Sequence, residues 1–488
     1  VHAGLIAAAL SVGLVAWQAV APASVGAFGF TIDRLSTVLG CLVAIVGAVV
    51  LRFADRALLG DPRRLRYLRS LALASAGAFA LMFATNLVAV LLAWAVVSWG
   101  LHRLLVHAAE RPEAWRVART KFVVSRVGDA FLVAGGLVLW FGLGTLDLDR
   151  LAAAAAAAPV AGETAAVLLV LGALAKSAQV PFHAWLPDTM EAPTPTSAIM
   201  HAGIINAGGA LLVRIAPFVV QFESALLLLS VVGTATVLVA FVAMWAQPSI
   251  KRSLAWSTVG QMGFMTTQLG LAAAPAALLH ILGHGFYKAW SFLRSGDLPM
   301  SRPAAIPDAA PAAAASIAWF VVGVLAAFPA FLLASTITGF SPWHAPGEAA
   351  LAIIVALAIG HLWRALVERG RRSAAQRVVL ASVATIAAPM ALFALYRGAS
   401  MWLAPVHGAY ALPAGSLAWA AALLPVAAFS GLSVLHACLP LLGRSRRGRA
   451  FFVHAMHGFH LGAPIDRVGD VLGRLVIRGP IADAARSR

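Results

Sequence analysis

The stretch HILGHGFYKAWSFLRSG carries three titratable side chains at four-residue intervals, His280, His284 and Lys288. On a helix this spacing lines one face and sets the groups about 6 Å apart along the axis. That gap is too long for direct proton hops and suits one bridging water per step. Histidine titrates near neutrality and passes a proton in either direction. Paired histidines at i, i+4 also bind zinc, but no acidic residue stands at the zincin position and no cysteine is near. Proton relay is the leading reading, ahead of a metal site and of histidines that only pack between helices.

A second chemical signal is Lys176 in LVLGALAKSAQVPF, with a long apolar run before it and Pro181 close behind. An ionisable side chain inside a bilayer costs several kcal/mol and is by default a candidate for function. Desolvation disfavours a charged ammonium, which lets a buried lysine exchange a proton near neutral pH. The competing reading is a lysine reaching up to the interface. The sequence then breaks: KSAQVPFHAWLPDTMEAPTPTSAIMHAG contains Pro181, Pro187, Pro193 and Pro195. Non-helical backbone survives at membrane depth only where protein or enclosed water satisfies it. His183, Asp188 and Glu191 lie in this segment and could load protons from one side, unless it is a plain re-entrant loop.

Softer candidates flank these two. His201 and Asn206 lie in the helix after the break, and Lys251, Ser257 and Gln261 begin and line a later one. Asp129 follows Arg126 by three residues in SRVGDAF, a spacing that reads first as a local structural pair. His361, with Arg364 close by, could form an exit, although Arg364 could equally snorkel.

These residues need apolar helices to hold them, and the composition supplies little else. The chain of 488 residues is 61% hydrophobic and 11% charged, where a soluble domain carries about 25% charged residues. Water cannot be the solvent for most of this surface. The net charge of +17 does not indicate a nucleic-acid binder, because the arginines sit in short loops between apolar runs. Cys41 and Cys438 are far apart and form no CxxC pair, so no cysteine-based metal site or disulfide framework is expected. Residues 2–21 lack a basic leader and read as a first transmembrane helix rather than a secretion signal.

A bilayer core of about 30 Å needs roughly 20 apolar residues in a helix. Such runs fall near 2–21, 34–53, 66–84, 86–107, 120–144, 163–182, 197–217, 223–246, 252–272, 274–295, 312–336, 348–367, 376–396 and 416–442, about fourteen in all. Basic clusters follow the even-numbered runs. They are Arg52, Arg56, Arg63, Arg64 and Arg66; Arg111, Arg116, Arg119 and Lys121; Lys251 and Arg252; Arg294 and Arg302; Arg369, Arg371 and Arg372; and Arg444, Arg446, Arg447 and Arg449. The opposite loops are short or acidic, as with Asp147, Asp149 and Glu163. The positive-inside rule then places both termini in the cytoplasm. The alanine runs 152–158 and 308–316 carry no function. The tail from 443 lies on the membrane surface, docks on a partner or is simply solvated.

KSAQVPFHAWLPDTMEAPTPTSAIMHAG, SIKRSLAWSTVGQMGFM and HILGHGFYKAWSFL resemble the signature blocks of antiporter-like subunits. That superfamily includes the large subunits of respiratory complex I and of cation/proton antiporter complexes, and the likeness runs from about residue 85 to 370. The resemblance implies an all-α polytopic membrane protein with two inverted five-helix repeats, each containing a broken helix. It divides the chain into N-terminal helices (1–84), a first repeat (85–217), a second repeat (218–370), C-terminal helices (371–442) and a basic cytoplasmic tail (443–488). It makes Lys176 the central lysine of the first repeat and His280, His284 and Lys288 the hydrated link towards the second. Two departures stand out. The family carries a glutamate in the helix at 86–107, where this chain reads LLAWAVVSWGLHRLLV without an acid. It carries a second-repeat lysine where this chain reads AAFPAFLLASTITGF, with Thr338 near the matching position.

VVSWGLHRLLVHAAERPEAW, MHAGIINAGG and VHAMHGFHLGAPIDRV are most similar to one branch, the DabB-type membrane subunits of DAB inorganic-carbon accumulation complexes. That likeness implies a large zinc-binding partner related to β-carbonic anhydrases (DabA-type), ion flux through this chain, and hydration of carbon dioxide by the partner. The chain itself is then a transport subunit with no cofactor of its own. The rivals are a pumping subunit of a respiratory, hydrogenase or antiporter complex, and a non-conducting anchor for a soluble enzyme.

Overall fold

The computed structural model describes residues 2–295, 313–368, 373–408, 415–442 and 445–476. Arg302, Arg369, Arg371, Arg372 and Arg444 of the basic clusters, and most of the alanine run 308–316, lie outside them.

Each expected span has a helix. They are α1 (His2–Val20), α2 (Arg34–Ala57), α3 (Arg64–Phe83), α4 (Leu87–Leu105), α5 (Pro112–Leu143), α6 (Pro159–Lys176) and α7 (Thr194–Arg214, interrupted at Gly203–Asn206). Then come α8 (Glu223–Trp245), α9 (Ile250–Gly270), α10 (Ala274–Arg294), α11 (Ala313–Thr338), α12 (Pro346–Glu368), α13 (Ala374–His407) and α14 (Ser416–Leu442). Among the described residues, eleven helices are long and apolar enough to cross a membrane by length and composition. The three that fall short are α3, α9 and α10. The last two carry the Lys251, Gln261 and Gln268 side chains and the His280–His284–Lys288 row, groups that a membrane helix turns inward.

Helix α13 runs on to His407 where 396 is expected, and two other boundaries differ for identifiable reasons. Helix α5 starts at Pro112 rather than near 120, because proline is well placed in a first helical turn. Arg116 and Arg119 of the basic cluster are therefore inside a helix, as is Lys121, which is only 7% exposed. Helix α6 stops at Lys176 instead of 182. Ala178 adopts the left-handed region (φ 51°) and Pro181 prevents continuation.

A short hairpin, β1 (Val25–Ala27) and β2 (Phe30–Ile32), joins α1 to α2 with Val25 opposite Ile32. One large apolar core runs from α2 to α10, and a second, smaller one joins α11, α12 and α13 around Phe331, Trp363 and Phe393. The cores divide after α10, so residues 218–370 contribute to both. Helices α8 and α9 approach closely: a Cβ on Gly233 would lie 2.6 Å from the Thr267 amide nitrogen. Small residues permit this contact between membrane helices.

The tail folds back onto its own chain. Its helices α15 (Arg446–Met456) and α16 (Ala463–Val476) are joined by a 3-10 turn, Gly458–His460. Gln247 Nε2 donates to the Met456 carbonyl at 2.9 Å. Gly458 lies against the Trp256 ring, Gly462 against Ala184, and Gly469 against Thr120 of α5. Among the expected alternatives, self-docking was not included, because its contacts lie hundreds of residues away in sequence.

Candidate ion-translocation site

The broken segment places Lys176 first. Between α6 and α7 the chain runs through a short helix, Trp185–Asp188, and a 3-10 turn, Thr189–Glu191. Pro193 caps α7 and Pro195 sits in its first turn. Backbone groups in the break find protein partners, as where the Val180 amide donates to Thr236 Oγ1 at 3.0 Å. Lys176 is thus the last residue of a helix that ends inside the bundle, with a side chain 2% exposed.

Its partner is Asp129. The Lys176 ammonium pairs with Asp129 Oδ1, and Asp129 Oδ2 pairs with Arg126 Nη2 at 2.6 Å. The local Arg126–Asp129 pair exists as the spacing suggested, and the carboxylate reaches further. The lysine also stands 4.6 Å from the centre of the Trp94 ring on α4. Gly128 makes room for the stem: a Cβ there would come within 2.8 Å of Lys176 Cγ. A second buried lysine lies beyond. Lys121 Nζ donates to Ser98 Oγ at 2.9 Å, and Ser98 is hydrogen-bonded to Ser125 at 3.0 Å. Lys121 and Lys176 line a void of about 30 Å³ together with Ser98, Ser125 and Trp94, enough room for about one water. Lys121, Ser125 and Asp129 repeat the i, i+4, i+8 spacing of the histidine row, so the same criterion applied to α5 would have found them.

The α10 row is present as read. The His280 and His284 ring centres are 6.1 Å apart, and Lys288 is fully buried with Nζ donating to the Leu254 carbonyl at 3.0 Å. His280 Nδ1 is 2.9 Å from Gln268 Oε1. His284 has no protein hydrogen bond on either ring nitrogen. Its electrostatic neighbours are Lys288, His280 and His201. His201, on α7, is itself buried and stacked on Phe292 at 4.5 Å. The structure therefore gathers His201, His280, His284 and Lys288.

Other candidates are placed differently. His183 is buried, with its ring 5.5 Å from that of Trp256. Asp188 accepts from Arg116 at 3.1 Å and Arg252 at 3.2 Å at the rim. Glu191 ends the 3-10 turn, and its side chain is outside the described set. Lys251 Nζ donates to Thr194 Oγ1 at 3.1 Å, tying α9 to the start of α7. Asn206 Nδ2 donates to the Ala202 carbonyl at 2.7 Å inside the α7 break. Ser257 is partly buried on α9, and Gln261 lines a cavity beside His284. His361 is not with the α10 row. It bonds Ser433 Oγ at 3.0 Å and lies 5.5 Å from the His436 ring. Thr338 ends α11 with its hydroxyl donating to the Ala334 carbonyl at 2.7 Å, so that position carries no charge.

Among the described residues, no group of three or more His, Cys, Asp or Glu side chains could hold a metal ion. The arrangement is one of buried cations, imidazoles and one carboxylate, which suits charge transfer between helices rather than bond-making chemistry.

Fold and site together define a polytopic membrane protein of the antiporter-like class. Residues 84–308 match the family model "NADH:quinone oxidoreductase/Mrp antiporter, TM". It is 37% identical over 347 residues to "Probable inorganic carbon transporter subunit DabB2" of Halothiobacillus neapolitanus, covering 70% of this chain and 62% of that one. It is 36% identical over 279 residues to "NAD(P)H-quinone oxidoreductase subunit 5, chloroplastic" of Brachypodium distachyon, covering 56% of this chain and 38% of the other. The chain spans between 49% and 62% of the length of three DabB-named relatives. A solved Mrp complex from Dietzia sp. DQ12-45-1b shares the fold, with a TM-score of 0.61 and 22% identity, covering 99% of this chain and 57% of that one.

Proposed function

We propose that this chain is the ion-translocating membrane subunit of an energy-coupled inorganic-carbon uptake complex, with the proton as its ion. The buried Lys176–Asp129 pair carries the reading. A charge pair at the end of a broken membrane helix is costly to bury and is retained where charge must move. Driven by the membrane potential, protons pass along a path that joins His280, His284, Lys288 and His201 to Lys176 and on to His183 and Asp188. The two repeats, 85–217 and 218–370, hold these halves. The DabB-named relatives support the inorganic-carbon assignment. The partner is then a large zinc-binding, β-carbonic-anhydrase-like subunit, and the complex sits in the bacterial inner membrane with both termini of this chain cytoplasmic.

The test is growth of a strain that depends on the complex for life in air. Lys176→Ala abolishes that growth while leaving the protein level unchanged; growth like wild type would sink the mechanism. A second reading, a pumping subunit of a respiratory complex, is favoured by the likeness to subunit 5 of the chloroplast oxidoreductase. The acid-free α4 and uncharged α11 weigh against it. Affinity purification from gently solubilised membranes separates the two: one large zinc protein supports the first reading, and flavin or iron–sulfur subunits support the second.

A further inference from the structure

A cavity of about 550 Å³ lies between α9 and α10 on one side and α12 and α13 on the other. His280 and His284 form part of one wall, and Glu348 and Tyr396 form part of the other. The volume far exceeds the roughly 10–15 Å³ that a single water requires. Gln261, Gln268 and Tyr287 add polar partners along the α9–α10 side. His284 is 5% exposed, lines the cavity, and has no protein hydrogen bond on either ring nitrogen. A buried polar ring left this way calls for a partner from the cavity itself.

Glu348 is the carboxylate across from these histidines. Tyr396 Oη donates to Glu348 Oε1 at 2.9 Å, fixing the side chain between α12 and α13. The neighbouring Gly347 packs on the Leu271 carbonyl so closely that a Cβ would collide, which pins the start of α12 against the α9–α10 turn. Helices α10 and α12 both run inward from the outer face in the topology the basic loops predict. Glu348 is the third residue of α12, His280 the seventh of α10 and His284 the eleventh. At about 1.5 Å per residue the three lie about 3, 9 and 15 Å below the outer ends of their helices. The cavity therefore joins mid-membrane imidazoles to a carboxylate near the outer face.

We propose that Glu348, positioned by Tyr396, is the outer terminus of the ion path, exchanging protons with His284 and His280 through water in this cavity. It gives the second half of the chain the titratable group that α11 lacks. The step is a proton transfer only: a proton passes through water between the carboxylate and an imidazole, and the carboxylate exchanges it with the outside. This inference rests on the translocation reading above.

The test uses the chain with its co-purifying subunits in phosphatidylethanolamine–phosphatidylglycerol liposomes, with a potassium diffusion potential and a pH dye inside. Glu348→Gln lowers proton flux by about tenfold or more, and Glu348→Asp retains most of it. Val355→Trp, which fills the cavity from α12 without removing a titratable group, also lowers flux. Tyr396→Phe leaves conduction in place but shifts its pH profile, as expected of a positioning residue. Independently, dicyclohexylcarbodiimide labels Glu348 in the wild type, and labelling falls as pH rises. If Lys176→Ala is inactive while Glu348→Gln conducts like wild type, Glu348 is not the outlet and the translocation reading stands. If Lys176→Ala conducts like wild type, the translocation reading fails and the outlet with it. Should Glu348→Gln fail to assemble, full flux in Val355→Trp or absence of carbodiimide labelling overturns the proposal.

Discussion

Asp129 on α5 and Lys176 at the end of α6 form an ion pair in which the lysine is buried and the carboxylate partly exposed, beside an α4 that carries no acid. Arg126 holds the other carboxylate oxygen, so the acid is shared between the Lys176 ammonium and the Arg126 guanidinium. Removing one partner of a buried pair strands the other and costs about 3 kcal/mol or more. Asp129→Asn and Lys176→Met should each lower the unfolding midpoint of the detergent-solubilised protein, and the double variant should lose less than their sum. Strict additivity would mean that the two charges do not interact.

Gly128 offers a subtler probe. Its missing Cβ is where the Lys176 stem passes, so Gly128→Ala crowds the lysine without removing any charge. Overpacking of this kind costs about 1–3 kcal/mol. Ion flux should fall while Asp129 and Lys176 both remain, and unchanged flux would show that the stem has slack.

At the outer face, Arg214 at the end of α7 bonds Asp33 twice, at 2.8 and 3.1 Å, and Asp149 at 3.2 Å. Burial pushes the Asp33 carboxyl up, but the Arg214 guanidinium and the Ser36 amide and hydroxyl outweigh it and hold it below the ordinary value of 3.8. A lowered acid stabilises the fold above its unfolded value and loses that contribution as pH falls through the folded one. Acid stability should therefore drop below about pH 4, and Asp33→Asn should flatten that drop. Unfolding midpoints measured across the acid range decide it.

The docked tail has the opposite sign. Burial, then the nearby Asp188 carboxylate, raises Asp466 to about 6, with Arg116 pulling the other way. The docked helix thus holds a proton that a free one releases. Docking is favoured in full below the ordinary value of 3.8 and weakens as pH rises through about 6. Hydrogen exchange across 463–476, corrected for intrinsic rates, should show more protection in mild acid than at neutral pH. Asp466→Asn should abolish the difference, and a persistent pH effect in that variant would assign it to another group.

The architecture was legible because membrane helices must satisfy their own backbone, which writes each span into a continuous apolar run. The break after Lys176 was equally plain, since Pro181, Pro187, Pro193 and Pro195 cannot all sit inside one helix. The beginning of α5 was not. Arg116, Arg119 and Lys121 look like a basic loop by charge count, yet they occupy helical turns, and Lys121 turns inward to Ser98. The α10 row showed itself because its members share one helix. Pairs such as Asp129–Lys176, Asp33–Arg214 and Glu348–Tyr396 join different helices, and no local pattern announces which helices will touch. The surroundings of His361 were hidden for the same reason: its ring meets Ser433 and His436 on another helix.

His284 is the one member of the α10 row with no protein group bonded to either ring nitrogen. An imidazole normally has its tautomer chosen by the partner of one nitrogen. Here no protein group selects the tautomer, so that choice falls to what the cavity supplies, and the ring can take a proton on one nitrogen and surrender it from the other. Such a ring imposes no direction. Whichever way the electrochemical gradient points, His284 is equally ready, and any rectification of flow must be built elsewhere in the molecule or its partners.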